Sequence, residues 1–171
     1  MWGWIFLWLA LPIIYAGISL APWVPTRKRD IERLQDILKL QAGERFLEIG
    51  CGDARVCRAI AQKFPHNEIC GIELAFPIFL LGYLRNMVFP QKNLTLKLGN
   101  ALKQDFWNYD VIYIFGMPEK LAAKVLPKFL QESKKGSRLI SYVFSLPENP
   151  LYTIESFGSE KQSKIHIATK L

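Results

Sequence analysis

The sequence has few residues of the types that carry metal or nucleophile chemistry. It contains two histidines and three cysteines. Cys51, Cys57 and Cys70 show no C-x-x-C spacing and form an odd set. That excludes a four-cysteine zinc site and a disulfide framework, and it fits a reducing compartment. No H-E-x-x-H, G-x-x-x-x-G-K-[ST] or G-x-S-x-G pattern occurs, so zinc-protease, P-loop and serine-hydrolase chemistry lack their residues. His66 and His166 lie far in sequence from any ligand-binding turn and read as loop and strand-surface residues. Acid is scarcer than base, with 15 Asp plus Glu against 22 Lys plus Arg and a net charge of +7. That surplus fits nucleic acid, an anionic membrane face or an acidic partner, and equally an ordinary solvated surface. No repeat or low-complexity tract is present.

Charge of either sign is missing before Arg27. The run from Trp2 to Leu20 is long enough, at ~1.5 Å per residue, to cross a ~30 Å hydrocarbon layer. Trp2, Trp4, Tyr15 and Trp23 lie toward its ends, where aromatic rings suit the lipid–water interface. Arg27, Lys28 and Arg29 follow at once, which places the rest of the chain on the cytoplasmic side. A cleaved signal peptide would need a basic start, and none exists. Pro12 and Gly17 interrupt the run, so a helix lying in the interface, or one docked on the following domain, stays open beside a spanning helix. The chain thus divides into a membrane-associated helix over residues 1–21 and a domain over residues 22–171.

At 171 residues, half of them hydrophobic, the chain can bury one core. Apolar periodicity predicts a helix over 28–40, ended by Gly43, and further helices over 54–63, 77–88 and 118–131, the last kinked at Pro127. Short apolar runs predict strands over 45–49, 68–74, 93–98, 110–115 and 138–144. Two more, 152–157 and 164–169, are close enough to form a hairpin. Strands alternating with helices imply an α/β fold of the Rossmann-like kind, mostly parallel with an antiparallel C-terminal edge. Ligands in such sheets bind outside the carboxyl ends of the strands.

The first strand and its turn read Leu47-Glu48-Ile49-Gly50-Cys51-Gly52-Asp53-Ala54. Paired glycines let a backbone approach a ligand closely and present amides at a helix start. The dinucleotide pattern G-x-G-x-x-G fails, because its third position is Arg55. Glu48, two residues before Gly50, gives E-x-G-x-G. That pattern suits S-adenosylmethionine, whose cationic end the carboxylate can meet directly or through water. Glu73 ends the second strand about twenty residues on, the spacing of a ribose-binding acid. A carboxylate there can accept from both ribose hydroxyls. Asn100-Ala101 follows the third strand, where the Asn100 side chain can accept from an adenine amine and Leu74 or Phe76 can cover the ring. The fourth strand runs into Phe115-Gly116-Met117-Pro118, the place for the methyl acceptor. It lacks the Asn-Pro-Pro-Tyr element that orients planar amines. The basic residues also lack aromatic interleaving, so nucleic acid is not the expected substrate.

With these motifs in place, the chain resembles the small protein-lysine methyltransferases, a family that includes archaeal broad-specificity enzymes and the methyltransferase of the ATP synthase c-subunit. The resemblance rests on Pro22-Trp23-Val24-Pro25-Thr26, Glu48 to Arg55, Gly71-Ile72-Glu73-Leu74 and Phe115 to Pro118, and runs from about Pro22 to Pro147. It implies that Thr26 closes over the methionine end of the cofactor. It further implies that Glu48, Gly50, Cys51, Gly52, Glu73, Leu74, Asn100 and Ala101 bind S-adenosylmethionine, and that Pro25, Phe115, Gly116, Met117 and Pro118 face the substrate. Ala54 departs from the glycine, and Asn100 from the aspartate, that many members carry.

The expected partner is a protein with an accessible lysine, a membrane protein being the first guess by location, with the bilayer held through residues 2–20. A small-molecule or lipid-associated methyltransferase and a non-catalytic cofactor-binding scaffold are the competing readings. No catalytic base and no metal ligand is assigned.

Overall fold

The structure is a computed structural model that describes residues 24–171. The expected membrane helix of residues 1–21 lies outside the described residues. Among the described residues no helix is long and apolar enough to cross a membrane.

Seven strands form one sheet: β1 (Arg45–Ile49), β2 (Glu68–Glu73), β3 (Leu94–Leu98), β4 (Val111–Ile114), β5 (Arg138–Tyr142), β6 (Tyr152–Phe157) and β7 (Ile165–Lys170). Their order is β3-β2-β1-β4-β5-β7-β6. The first five strands run parallel, and β7 is antiparallel to both β5 and β6. The expected parallel sheet with an antiparallel edge is therefore present. The tail pair enters in reverse, with β7 between β5 and β6.

Helices α1 (Lys28–Leu38), α2 (Arg55–Lys63) and α3 (Phe76–Val88) precede β1, β2 and β3 respectively. Helix α1 stops at Lys39, whose left-handed conformation (φ 42°) ends the hydrogen-bond ladder before Gly43. Helices α1 and α2 pack Leu34, Leu38, Val56, Cys57 and Ile60 onto Phe46, Tyr113 and Ile140 of the sheet. On the opposite face Leu47, Ile49, Ile112 and Leu139 meet Val125, Leu126 and Phe129. Residues of one strand thus alternate between two cores, as a sheet covered on both faces requires.

The helical stretch α4 is not one α-helix. It comprises α turns at Pro118–Lys120, a π turn at Leu121–Val125 and an α segment at Leu126–Glu132. Pro127 has no amide hydrogen and its ring would strike the carbonyl four residues back. The Leu126 amide instead reaches five residues back to the Leu121 carbonyl, widening the turn so that Pro127 stands at the start of a fresh segment. The kink expected at Pro127 is this π turn.

Candidate active site

The turn after β1 is shaped by left-handed residues. Gly50 (φ 72°), Gly52 (φ 55°) and Ala54 (φ 61°) alternate along it. Gly50 and Cys51 donate to the Ile72 carbonyl at 2.9 and 3.1 Å, which fastens the turn to the end of β2. Gly50 is exposed, and beyond its own chain neighbours no atom lies within 4 Å of where its side chain would stand. Open space therefore fronts the backbone where a ligand would approach. Ala54 occupies a left-handed conformation that glycine adopts at no steric cost, which gives a physical meaning to its departure from the family's glycine.

Glu48 and Glu73 bracket this turn from two sides. Glu73 is buried; its Oε2 accepts from Gly52 N and its Oε1 from Ala75 N, both at 2.8 Å. Each carboxylate oxygen keeps a second acceptor site. Glu48 is buried below the turn, and its Oε2 accepts from Cys57 N at 2.8 Å in the first turn of α2. Its register neighbours are Gly71 on β2 and Tyr113 on β4. Burial raises its pKa to about 8; the Cys57 amide opposes this, and the nearby charges of Asp53 and Glu73 add to it. At neutral pH the carboxyl is mostly protonated. It serves first as a cap that joins β1 to α2, which the sequence did not show.

Gly71 explains how that cap fits. A side-chain carbon there would lie 2.9 Å from Cys57 Sγ and 3.0 Å from both Cβ and Sγ of Cys51. The two thiols occupy the volume the glycine leaves, and both are buried. Burial and the neighbouring Cys51 thiol push the Cys57 pKa well up, so Cys57 is an inert packing group rather than a nucleophile.

Thr26 is buried at the start of α1, its Oγ1 3.5 Å from the Tyr113 hydroxyl. The Tyr113 phenol is pushed up by burial and by the neighbouring Glu48. Thr26, Tyr113 and Glu48 thus form one polar cluster under the strand tips. Tyr113 was missed in the sequence because it sits in the run Asp110 to Phe115 and reads as core. A second cluster adjoins it. The Tyr142 hydroxyl donates to Asp30 Oδ2 at 2.8 Å, and Arg33 pairs with Asp30 Oδ1 at 2.8 Å.

The remaining expected residues also lie at or just beyond strand ends. Asn100 is exposed, and its Oδ1 accepts from Leu102 N at 2.9 Å, capping a short 3-10 turn. Ala101 is buried and Leu74 half-buried. Phe115 meets Tyr142 edge-on with ring centres 4.8 Å apart and stacks on Phe144 at 6.5 Å. Gly116 is buried, Met117 half-buried, and Pro118 and Pro25 are exposed. His166 is buried on β7, where its Nδ1 lies 2.8 Å from Ser156 Oγ; burial lowers its pKa. It stands opposite Ser141 near the carboxyl end of β5, and it is buried rather than on the strand surface as expected. Among the described residues no group of His, Cys, Asp and Glu could hold a metal ion.

This sheet order, with a glycine turn after β1 and an acid ending β2, is a Rossmann-like fold, and with a methyltransferase-domain model matching most of the chain it defines an S-adenosylmethionine-dependent methyltransferase. Residues 48–151 match the model of the ANTKMT methyltransferase domain, and the chain belongs to that family. It is similar to a protein-lysine N-methyltransferase from Saccharolobus islandicus, at 25% identity over 73% of this chain and 78% of the relative. A demethylmenaquinone methyltransferase from Alkalihalophilus pseudofirmus is 26% identical over 67% of this chain, which spans 51% of that enzyme. Among solved structures, an RNA methyltransferase from Salinibacter ruber in complex with S-adenosyl-L-homocysteine shares the fold. Its TM-score is 0.74 at 16% identity, covering 86% of this chain and 94% of that one. An O-methyltransferase from Thermotoga maritima follows at TM-score 0.70 and 14% identity, covering 88% and 68%.

Proposed function

We propose that this methyltransferase modifies lysine amines of protein substrates. The observation that carries the reading is the aromatic wall of Phe115, Tyr142 and Phe144 at the ends of β4 and β5. A lysine must lose its proton to attack, yet its free pKa is near ~10.4. An apolar aromatic entrance disfavours the ammonium form. The lysine N-methyltransferase similar to this chain supports the same acceptor.

The residues present fit the cofactor. Glu73 is a buried carboxylate at the strand tip with acceptor sites to spare for a ribose diol. The open space at Gly50 admits a ligand against the backbone. Glu48, Cys51 and Gly52 complete the turn, Thr26 stands at its methionine side, and Leu74, Asn100 and Ala101 stand at its adenine side. When bound, S-adenosylmethionine supplies an electrophilic methyl on a sulfonium, and its own positive charge further disfavours an ammonium beside it. The chain itself orients the acceptor: Pro25, Phe115, Gly116, Met117 and Pro118 line the approach and exclude water. Holding two reactants in line removes entropy from the barrier; because the apolar entrance disfavours the ammonium form, the lysine gives its proton to solvent before it enters, and no dedicated base is required.

Residues 2–20 would hold the domain of residues 22–171 at a membrane, on its cytoplasmic side, within reach of a membrane-protein lysine. The test incubates the full chain with methyl-labelled cofactor and membrane or soluble extracts. Label recovered as methyl-lysine after protein hydrolysis is the expected result. Label released by nuclease, or partitioning into organic solvent, overturns the lysine assignment.

A further inference from the structure

A cleft of about 540 Å³ lies between α1, α2 and the C-terminal half of α3. Lys28, Arg55, Arg58 and Arg85 line it, against the single carboxylate of Glu32. Glu32 stands 3.9 Å from Lys28. The adjoining Asp53 is committed to Arg55, whose Nε and Nη2 donate to its two oxygens at 2.9 and 2.7 Å, and Arg85 stands off at 3.9 Å. Arg58 donates to the Asn86 side-chain oxygen at 2.7 Å, a neutral partner. A guanidinium carries five N–H donors, so most of those on Arg58 and Arg85 are left for a ligand. Burial and the Arg85 charge lower the Arg58 pKa, as two like charges beside one space must. The cleft thus holds two guanidiniums with no close carboxylate among the described residues.

The chemistry of the lining selects the occupant. Guanidinium forks match carboxylates two bonds at a time. No aromatic ring lines the cleft, and Ile31 and Ala59 are its apolar side chains. Bases would therefore find no stacking platform, and acyl chains no apolar floor. Residues 1–23 contain no acid that could neutralise the arginines. The cleft also reaches the methyl-transfer end of the molecule. Thr26 lines it; its carbonyl accepts from Arg55 at 3.4 Å, and its Oγ1 is 3.5 Å from the Tyr113 hydroxyl under the strand tips.

We propose that this cleft docks acidic side chains of the protein substrate near its target lysine, with Arg58 and Arg85 as the carboxylate-binding pair. The choice of a protein occupant rests on the lysine reading above. Carboxylates held there select lysines in acidic surroundings, because a basic neighbour would meet the guanidiniums with like charge.

The test follows the fluorescence anisotropy of a labelled peptide with one central lysine among glutamates, titrated with the full chain in non-ionic detergent. S-adenosylhomocysteine is present throughout, and a peptide with glutamines in place of the glutamates is the control. The glutamate peptide should bind about tenfold tighter, and added salt should shrink the difference. Arg58→Gln with Arg85→Gln should abolish it while calorimetry shows cofactor affinity unchanged. Arg85→Gln alone, at an exposed position, should reduce it several-fold. Equal affinity for the two peptides overturns the proposal, as does a preference that survives both substitutions. So does a single-stranded RNA oligonucleotide that binds more tightly than the glutamate peptide and loses that affinity in the double variant. Docking is read without turnover: a glutamate preference with no methyl on the lysine sustains the cleft and overturns the acceptor assignment instead.

Discussion

Replacing Glu48 by glutamine tests whether a protonated carboxyl really joins β1 to α2. The wild-type group is fully enclosed, accepts from Cys57 N, and has a pKa raised to about 8. In the unfolded chain the pKa returns to the ordinary value near ~4.3. Between the two values the folded state holds a proton that the unfolded state has released, so stability falls as pH rises. The full slope is about 1.4 kcal/mol per pH unit. From pH 6.5 to 8 the loss should be roughly 1.5–2 kcal/mol, the curve flattening near the upper end as the folded group itself ionises. Glutamine keeps an acceptor for the Cys57 amide and cannot ionise. Urea unfolding of both proteins across this window, taken as a difference curve, cancels His166 and the lysines. The expected difference moves toward the variant by that amount. A flat difference, or one favouring wild type at higher pH, would refute the assignment of a neutral buried carboxyl.

Gly71→Ala should destabilise by about 1–3 kcal/mol through overpacking, since the new carbon meets both thiols at 2.9–3.0 Å. Adding Cys57→Ala should recover part of this in a double-mutant cycle of denaturant midpoints. Glu73→Gln leaves one of two buried amides, Gly52 or Ala75, facing an NH₂ group; about 1–3 kcal/mol of stability should go, and calorimetry should show cofactor affinity reduced at least tenfold. Asp30→Ala strands the Tyr142 hydroxyl and takes from Arg33 its carboxylate, leaving it the Ser163 and Phe157 carbonyls; it should cost about 2 kcal/mol, read as a lowered thermal midpoint. Val143 is β-branched with φ 74° and is more than a third exposed; Val143→Gly should raise stability by about 1 kcal/mol.

Much of this architecture is legible in the chain because local signals and packing agree. Short apolar runs such as Arg45–Ile49 and Glu68–Glu73 are strands buried on both faces, and glycines or prolines mark their ends. The strand expected to reach Phe144 stops at Tyr142, where Val143 turns left-handed and donates to the Lys164 carbonyl at 2.8 Å. That reversal depends on a residue far along the chain, so no local pattern announces it. The placement of β7 against β5 is likewise a long-range choice. Within the site, the turn and Glu73 could be read from spacing. The part of Glu48 that faces α2 could not, because it is fixed by the pairing of Glu48 with Gly71 and Tyr113 across three strands. Tyr113 itself is hidden in an apolar run whose alternation puts its hydroxyl beneath Thr26.

The insertion of β7 between β5 and β6 bears on how the molecule is made. During synthesis β6 emerges earlier, yet it has no partner in the sheet other than β7. Until β7 leaves the ribosome, β5 presents an unpaired edge and β6 hangs free, so chaperone engagement should persist through this interval. Completion of the sheet therefore waits for β7 rather than for the cofactor turn, which is finished long before.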